Sequence, residues 1–187
     1  MTSNPALDQQ FSNKLSRFLN GLPSDVKRSG SKSTHAIKTF MLSNGVSQGS
    51  EGWANQIKQA LNNIVDVEFL WDITGRTRNP DNPMEYNDLT FVAESENKPQ
   101  LKPILDDAAK LPIARTDVRL MFFRANDAEQ LEMFFSELAR FFKSHRRTEV
   151  GDIYILAGMN NANGRYSVRK LTIRRDRSNV PEWEVVP

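Results

Sequence analysis

Three carboxylates stand where apolar residues are the rule. Asp72 lies in Trp71-Asp72-Ile73-Thr74, and Glu94 and Glu96 follow Phe91-Val92-Ala93. A buried charge without a partner is strongly unfavourable, so acids inside apolar strands call for a reason. Residues two apart in a strand share a face, and Glu94 and Glu96 therefore point the same way. If the two segments pair, Asp72 joins them in a cluster whose repulsion a cation would relieve. An all-oxygen, charge-rich set suits Mg²⁺ or Mn²⁺ rather than a soft metal. The alternative is that both glutamates end a strand at the solvent while Asp72 caps a turn.

Composition narrows the chemistry that could surround these acids. The 187 residues include no cysteine, which excludes disulfides, thiolate metal sites and cysteine catalysis. His35 and His145 lack partners at metal or triad spacing and read as surface residues. No basic segment leads into a long apolar run at the N-terminus, and no stretch of about 18 apolar residues occurs. The expectation is a cytoplasmic protein with no membrane partner. A net charge of +2 conceals a division along the chain. Residues 1–50 sum to +4, residues 51–137 to −7, and residues 138–187 to +5. An acidic middle between basic ends fits a carboxylate site flanked by phosphate-binding surfaces.

The elements that must position the acids follow from periodicity. Leu7, Phe11, Leu15, Phe18, Leu19 and Leu22 predict an amphipathic helix over 6–20, and the polar stretch 23–34 predicts a loop. Residues 35–42 fit a short strand or a helical turn. Trp53, Ile57, Ala60, Leu61 and Ile64 predict a helix capped by Ser50. Strands are expected at 67–74 and 86–96, with a polar turn region between them that begins at Gly75. A helix at 102–111 precedes an apolar strand at 117–125. Asp127 caps a long helix, and two strands then flank a turn at Asn163-Gly164. The tail from Asn179 reads as loosely held. Helices interleaved with strands imply an α/β fold, a mixed sheet flanked by helices. The expected organisation is an N-terminal helix and linker over 1–49 and an α/β domain over 50–187, one compact unit overall.

The order Asp72, then Glu94-Ser95-Glu96, on successive strands between helices resembles the PD-(D/E)XK, or restriction-endonuclease-like, nuclease superfamily. That pattern places Asp on one strand and Glu-x-Lys on the next. Asp72 and Glu94 match, while Glu96 stands at the usual lysine position, a substitution that some restriction enzymes share. The stretch 92–123 is also similar to a small uncharacterised bacterial branch with an E-S-E motif. The resemblance implies a restriction-endonuclease-like core and Mg²⁺-dependent phosphodiester hydrolysis of nucleic acid, with DNA the expected partner. It implies that Asp72, Glu94 and Glu96 hold the metal and act in catalysis. Lys110 is the candidate replacement for the displaced lysine, with an i,i+4 surface pair to Asp106 as its other reading. Glu51 fits an accessory acid or a favourable charge at a helix N-terminus. Glu68 reads as a surface residue at a strand start.

Basic residues supply the expected phosphate contacts: Arg76 and Arg78 after Asp72, Arg146 and Arg147 at a helix end, and Arg169 and Lys170 in the last hairpin. The rival expectation is a non-catalytic protein of the same fold that binds a protein or nucleic acid. A homodimer built on apolar helices is the weakest alternative.

Overall fold

The computed structural model describes residues 5–44, 50–54, 71–78, 86–174 and 183–186. In chain order the elements are α1 (Pro5–Gly21), α2 (Ser24–Arg28), α3 (Gly30–Asn44), β1 (Ser50–Ala54), β2 (Ile73–Arg78) and β3 (Tyr86–Glu96). They continue with α4 (Leu101–Ala108), a 3-10 turn (Leu111–Ile113), β4 (Thr116–Ala125), α5 (Ala128–Ser144), β5 (Ile153–Asn160), β6 (Arg165–Thr172) and β7 (Trp183–Val186). The strands form one mixed sheet in the order β1-β2-β3-β4-β5-β6-β7. β3, β4 and β5 are parallel, and antiparallel pairs extend the sheet on both sides. Helical crossovers explain the parallel centre, since α4 links β3 to β4 and α5 links β4 to β5.

Each face of the sheet carries its own apolar layer. Leu15 and Leu19 of α1 and Ile37, Phe40 and Met41 of α3 pack on the face bearing Phe91, Ala93, Leu120 and Phe122. Ile104 and Ala108 of α4 and Leu131, Phe134, Leu138 and Phe142 of α5 cover the other face, with Val92, Met121 and Phe123. Alternate residues of β3 and β4 thus serve opposite layers, and this is why those strands read as nearly unbroken apolar runs. Every residue of β5 is buried. A Cβ at Gly158 would collide with the side chains of Leu131 and Phe123, so glycine there lets α5 lie close to the sheet.

Several sequence expectations change in the folded chain. The 23–34 loop is largely helical, and residues 35–42 lie within α3. α1 and α3 contribute to the apolar layer on one face of the sheet. Residues 50–54 are an edge strand paired with β2, where a helix was expected, and residues 55–70 fall outside the described residues. That reassignment moves Glu51 from a helix start to a strand opposite Arg76. Glu68 lies outside the described residues. The strand expected over 67–74 begins at Ile73 and runs on to Arg78. At the other end, β7 pairs with β6 and buries Val186, so part of the tail is held. Tertiary pairing overrides local pattern at both ends because edge strands draw their stability from a neighbour. The turn after β5 does form at Asn163-Gly164, with Gly164 at φ 66°.

Candidate active site

Strand register builds the centre of the site. Ile73 pairs with Ala93 across β2 and β3, which carries Asp72 alongside Glu94 at the end of the pair. The Asp72 Oδ2 accepts a hydrogen bond from the Ser95 N–H at 3.0 Å, fixing the aspartate to β3. Val92 belongs to the α4–α5 layer, so Glu94 two residues on turns the same way. There it meets Lys110, which follows α4. The Lys110 Nζ lies 3.3 Å from Glu94 Oε2 and 2.8 Å from Asp107 Oδ1. Trp71 holds this turn in place by donating from its indole Nε1 to the Lys110 carbonyl at 2.9 Å.

Glu94 is an uncomfortable residue. It is 2% exposed, and its Oε1 is buried with no hydrogen-bond partner. Burial first, and the neighbouring Asp72 charge second, push its carboxyl from 4.5 up to about 8, against the pull of Lys110. Burial works against the Lys110 ammonium as well. Its bonds to Asp107 and Glu94 outweigh that and keep its pKa above the ordinary lysine value.

Lys38 is a member of the site that sequence reading missed. It sits on α3, is 7% exposed, and brings its Nζ to 4.0 Å from Asp72 Oδ1. The clue was a lysine between Ile37 and Phe40-Met41 on an apolar face, legible only once residues 35–42 are known to be helical. Lysines from opposite layers therefore approach the two carboxylates, Lys38 beside Asp72 and Lys110 beside Glu94.

Glu96 takes another direction. Its Oε1 accepts from the Lys98 N–H at 2.7 Å, a local turn contact. Among the described residues, no group of three or more carboxylate or histidine side chains is arranged to hold a metal ion. Asp72 and Glu94 lie together at the end of the β2–β3 pair, while the Glu96 carboxylate is engaged by Lys98. The Asp106 pairing expected for Lys110 is also replaced. Asp106 pairs with Lys102 at 2.7 Å, leaving Lys110 to Asp107 and Glu94.

The basic residues singled out in the sequence are spread over the molecule. Arg76 and Arg78 belong to β2 itself, with Arg78 opposite Tyr86 at the end of β3 away from Glu94. Arg146 and Arg147 are exposed in the turn between α5 and β5, at the edge where β5 begins. Arg169 is paired with Glu132 and stacked 4.1 Å over the Phe135 ring. Lys170 is buried and lies 3.7 Å from Glu184. These last two stabilise the sheet and its α5 cover.

Asp72 and Glu94 are the residues here that could hold a hard divalent cation. Mg²⁺ is commonly held by one or two carboxylates with water and substrate oxygens completing its shell. The Glu94 Oε1 lacks a protein hydrogen bond, and Asp72 is its neighbour. Compared with known protein-family models, curated proteins and solved structures, the chain matches none.

Proposed function

We propose that the protein is a Mg²⁺- or Mn²⁺-dependent phosphodiesterase acting on nucleic acid, with a restriction-endonuclease-like core and its reactive centre at Asp72 and Glu94. The observation that carries this reading is the placement of Asp72, just before β2, beside Glu94 of β3, which has a buried oxygen lacking a partner. In support, Asp72 precedes β2 and Glu94-Ser95-Glu96 lies on the neighbouring β3, with α4 and β4 following, an order like that of the superfamily these motifs resemble.

Asp72 and Glu94 would hold the cation, which when bound supplies Lewis acidity to the scissile phosphate and to water. The protein's own part is positional and electrostatic. Ser95 N–H orients Asp72, and Trp71 orients the Lys110 turn. Lys110, delivered from the turn that follows α4, takes over the place left by Glu96 in the Glu-x-Lys pattern. Its ammonium balances Glu94 and can stabilise negative charge growing on a phosphoryl oxygen. Lys38 offers a second positive charge on the Asp72 side.

The test is a cleavage assay on plasmid, single-stranded DNA and RNA with each metal. Cleavage by the unmutated protein, lost in Asp72→Asn and Glu94→Gln, is the expected result. No cleavage of any substrate by the unmutated protein would reject the proposal. The second reading, a non-catalytic binder of the same fold, draws on Glu96, whose carboxylate is already engaged by Lys98.

A further inference from the structure

A second site lies on the same edge of the sheet as the carboxylates and has none of their chemistry. Where β5 ends and β6 begins, the turn 161–164 faces the junction of α1 and α2 across an open cleft of about 550 Å³. That volume falls in the range of about 300–1,000 Å³ common for ligand pockets. Lys27, Arg28 and Arg165 contribute three cations to its lining, and Asn20, Asn161 and Asn163 contribute amides. Among the described residues, no carboxylate lines it.

The walls are fixed from behind. The Asn20 side chain exchanges two bonds with the Tyr166 backbone, accepting from its N–H at 3.1 Å and donating to its carbonyl at 3.3 Å. The Lys27 Nζ donates to the Asn20 carbonyl at 2.6 Å. Buried Arg124 donates to the Lys27 carbonyl at 2.8 Å and to Asn161 Oδ1 at 3.4 Å, joining the helical wall to the strand wall. The Asn163 Oδ1 accepts from the Arg165 N–H at 2.9 Å and sets the turn. Arg28 and Arg165 are exposed. Three cations lining one cleft, with no acid among its described lining residues, favour an anion, and guanidinium groups match phosphate oxygens best.

We propose that this cleft is a phosphate-binding site, separate from the Asp72–Glu94 centre, in which Lys27, Arg28 and Arg165 bind phosphate oxygens. The Asn160 end of β5 is two strands from β3 and four residues further along than Glu94, about 10 Å across and about 13 Å along. Phosphate of a free diphosphate compound and phosphate of a strand that also spans the carboxylate centre share this chemistry.

Calorimetric titration with inorganic pyrophosphate, and fluorescence anisotropy with a labelled single-stranded oligodeoxynucleotide, test the site. Arg28→Ala combined with Arg165→Ala should weaken pyrophosphate binding by about tenfold or more. Lys14→Ala combined with Arg115→Ala removes the same charge from exposed positions outside the lining and should change it less than about twofold. If strand binding falls in parallel and pyrophosphate competes with it, the site takes nucleic acid phosphate. If only pyrophosphate binding falls, the site takes a free phosphate compound. No binding of pyrophosphate at millimolar concentration, equal binding by the Arg28/Arg165 variant, or an equal loss in the Lys14/Arg115 variant would overturn the proposal. Unchanged thermal unfolding of both variants shows that the comparison concerns binding. Because Glu94 lies outside the cleft, Glu94→Gln should retain pyrophosphate binding whether or not the unmutated protein cleaves nucleic acid.

Discussion

Glu94 and Arg124 are both ionisable, both buried, and both on the parallel centre of the sheet, yet the fold treats them differently. Arg124 is thoroughly satisfied. Its Nε donates to Asn97 Oδ1 at 3.1 Å, and its guanidinium nitrogens reach Asn161, the Lys27 carbonyl and Ser33 Oγ. Those partners come from α2, α3 and the ends of β3 and β5, so one side chain fastens the N-terminal helices to the sheet. Glu94 has one lysine at 3.3 Å and an oxygen with nothing. A buried charge surrounded by matched partners contributes to the architecture, whereas one left short of partners is held there against its own preference. The contrast separates a structural charge from one that costs stability and is a candidate for function.

Removing Arg124 should produce the largest effect. Arg124→Ala should destabilise the protein by roughly 3–5 kcal/mol, because it breaks a buried network and strands several acceptors. Urea denaturation measures this directly, and a loss below about 1 kcal/mol would mean that the network is not the fastening described here.

Glu94 should respond in the opposite sense. Its folded pKa is raised from 4.5 to about 8, so between those values the folded protein keeps a proton that the unfolded chain has released. The stability from this group is therefore present in full below 4.5 and is lost as pH rises through about 8. At about 1.4 kcal/mol per pH unit, the interval amounts to a few kcal/mol. Glu94→Gln should remove that slope and be the more stable protein at pH 9 in denaturation curves. A parallel pH dependence in both proteins would contradict the assignment.

Metal binding should sharpen the same point. A cation must displace the Glu94 proton, so Mg²⁺ affinity should rise by up to about tenfold per pH unit below about 8 and then level. At ten times its dissociation constant, Mg²⁺ should stabilise the fold by about 1.4 kcal/mol, and Asp72→Asn should reduce that gain. A thermal shift independent of both pH and Asp72 would place any bound cation elsewhere.

The smallest effects should come from two lysines, Lys110 after α4 and Lys102 in its first turn. Lys110→Met should lower stability by about 1 kcal/mol at neutral pH and move the Glu94 titration upward, followed by the pH dependence of unfolding. Lys102→Ala breaks only the exposed pair with Asp106 and should cost no more than about 0.5 kcal/mol. Equal losses in the two variants would reduce Lys110 to a surface residue.

Much of the central fold was legible from residue pattern. The strands 86–96, 117–125 and the final hairpin announce themselves through branched and aromatic residues and the Asn163-Gly164 turn. The helix over Ala128–Ser144 shows its buried face at Leu131, Phe134, Phe135, Leu138 and Phe142. Its Asp127 cap is confirmed by a bond from the Gln130 N–H to Asp127 Oδ1 at 2.8 Å. The edges were not legible. Ser50–Ala54 carries a pattern that fits a helix, and only pairing to β2 makes it a strand. Residues 23–34 look like a polar linker because α2 buries no residue and depends on neighbours.

Sequence by itself determined which acids could matter. Asp72, Glu94 and Glu96 are conspicuous because each stands beside or within an apolar run, and local composition is enough to reveal that. It also determined that the sheet would be mixed and covered by helices, because the period alternates between two and 3.6 residues. Tertiary structure alone decided which partners those acids meet. Glu96 shares a strand face with Glu94, yet its carboxylate closes onto Lys98, while Lys38 and Lys110 arrive from helical layers on opposite faces of the sheet. The physical reason is that side-chain spacing encodes a face and a period but not a neighbour. Register across β2 and β3 and the packing of α3 and α4 on the sheet set the neighbours, and these arise from contacts among residues far apart in the chain.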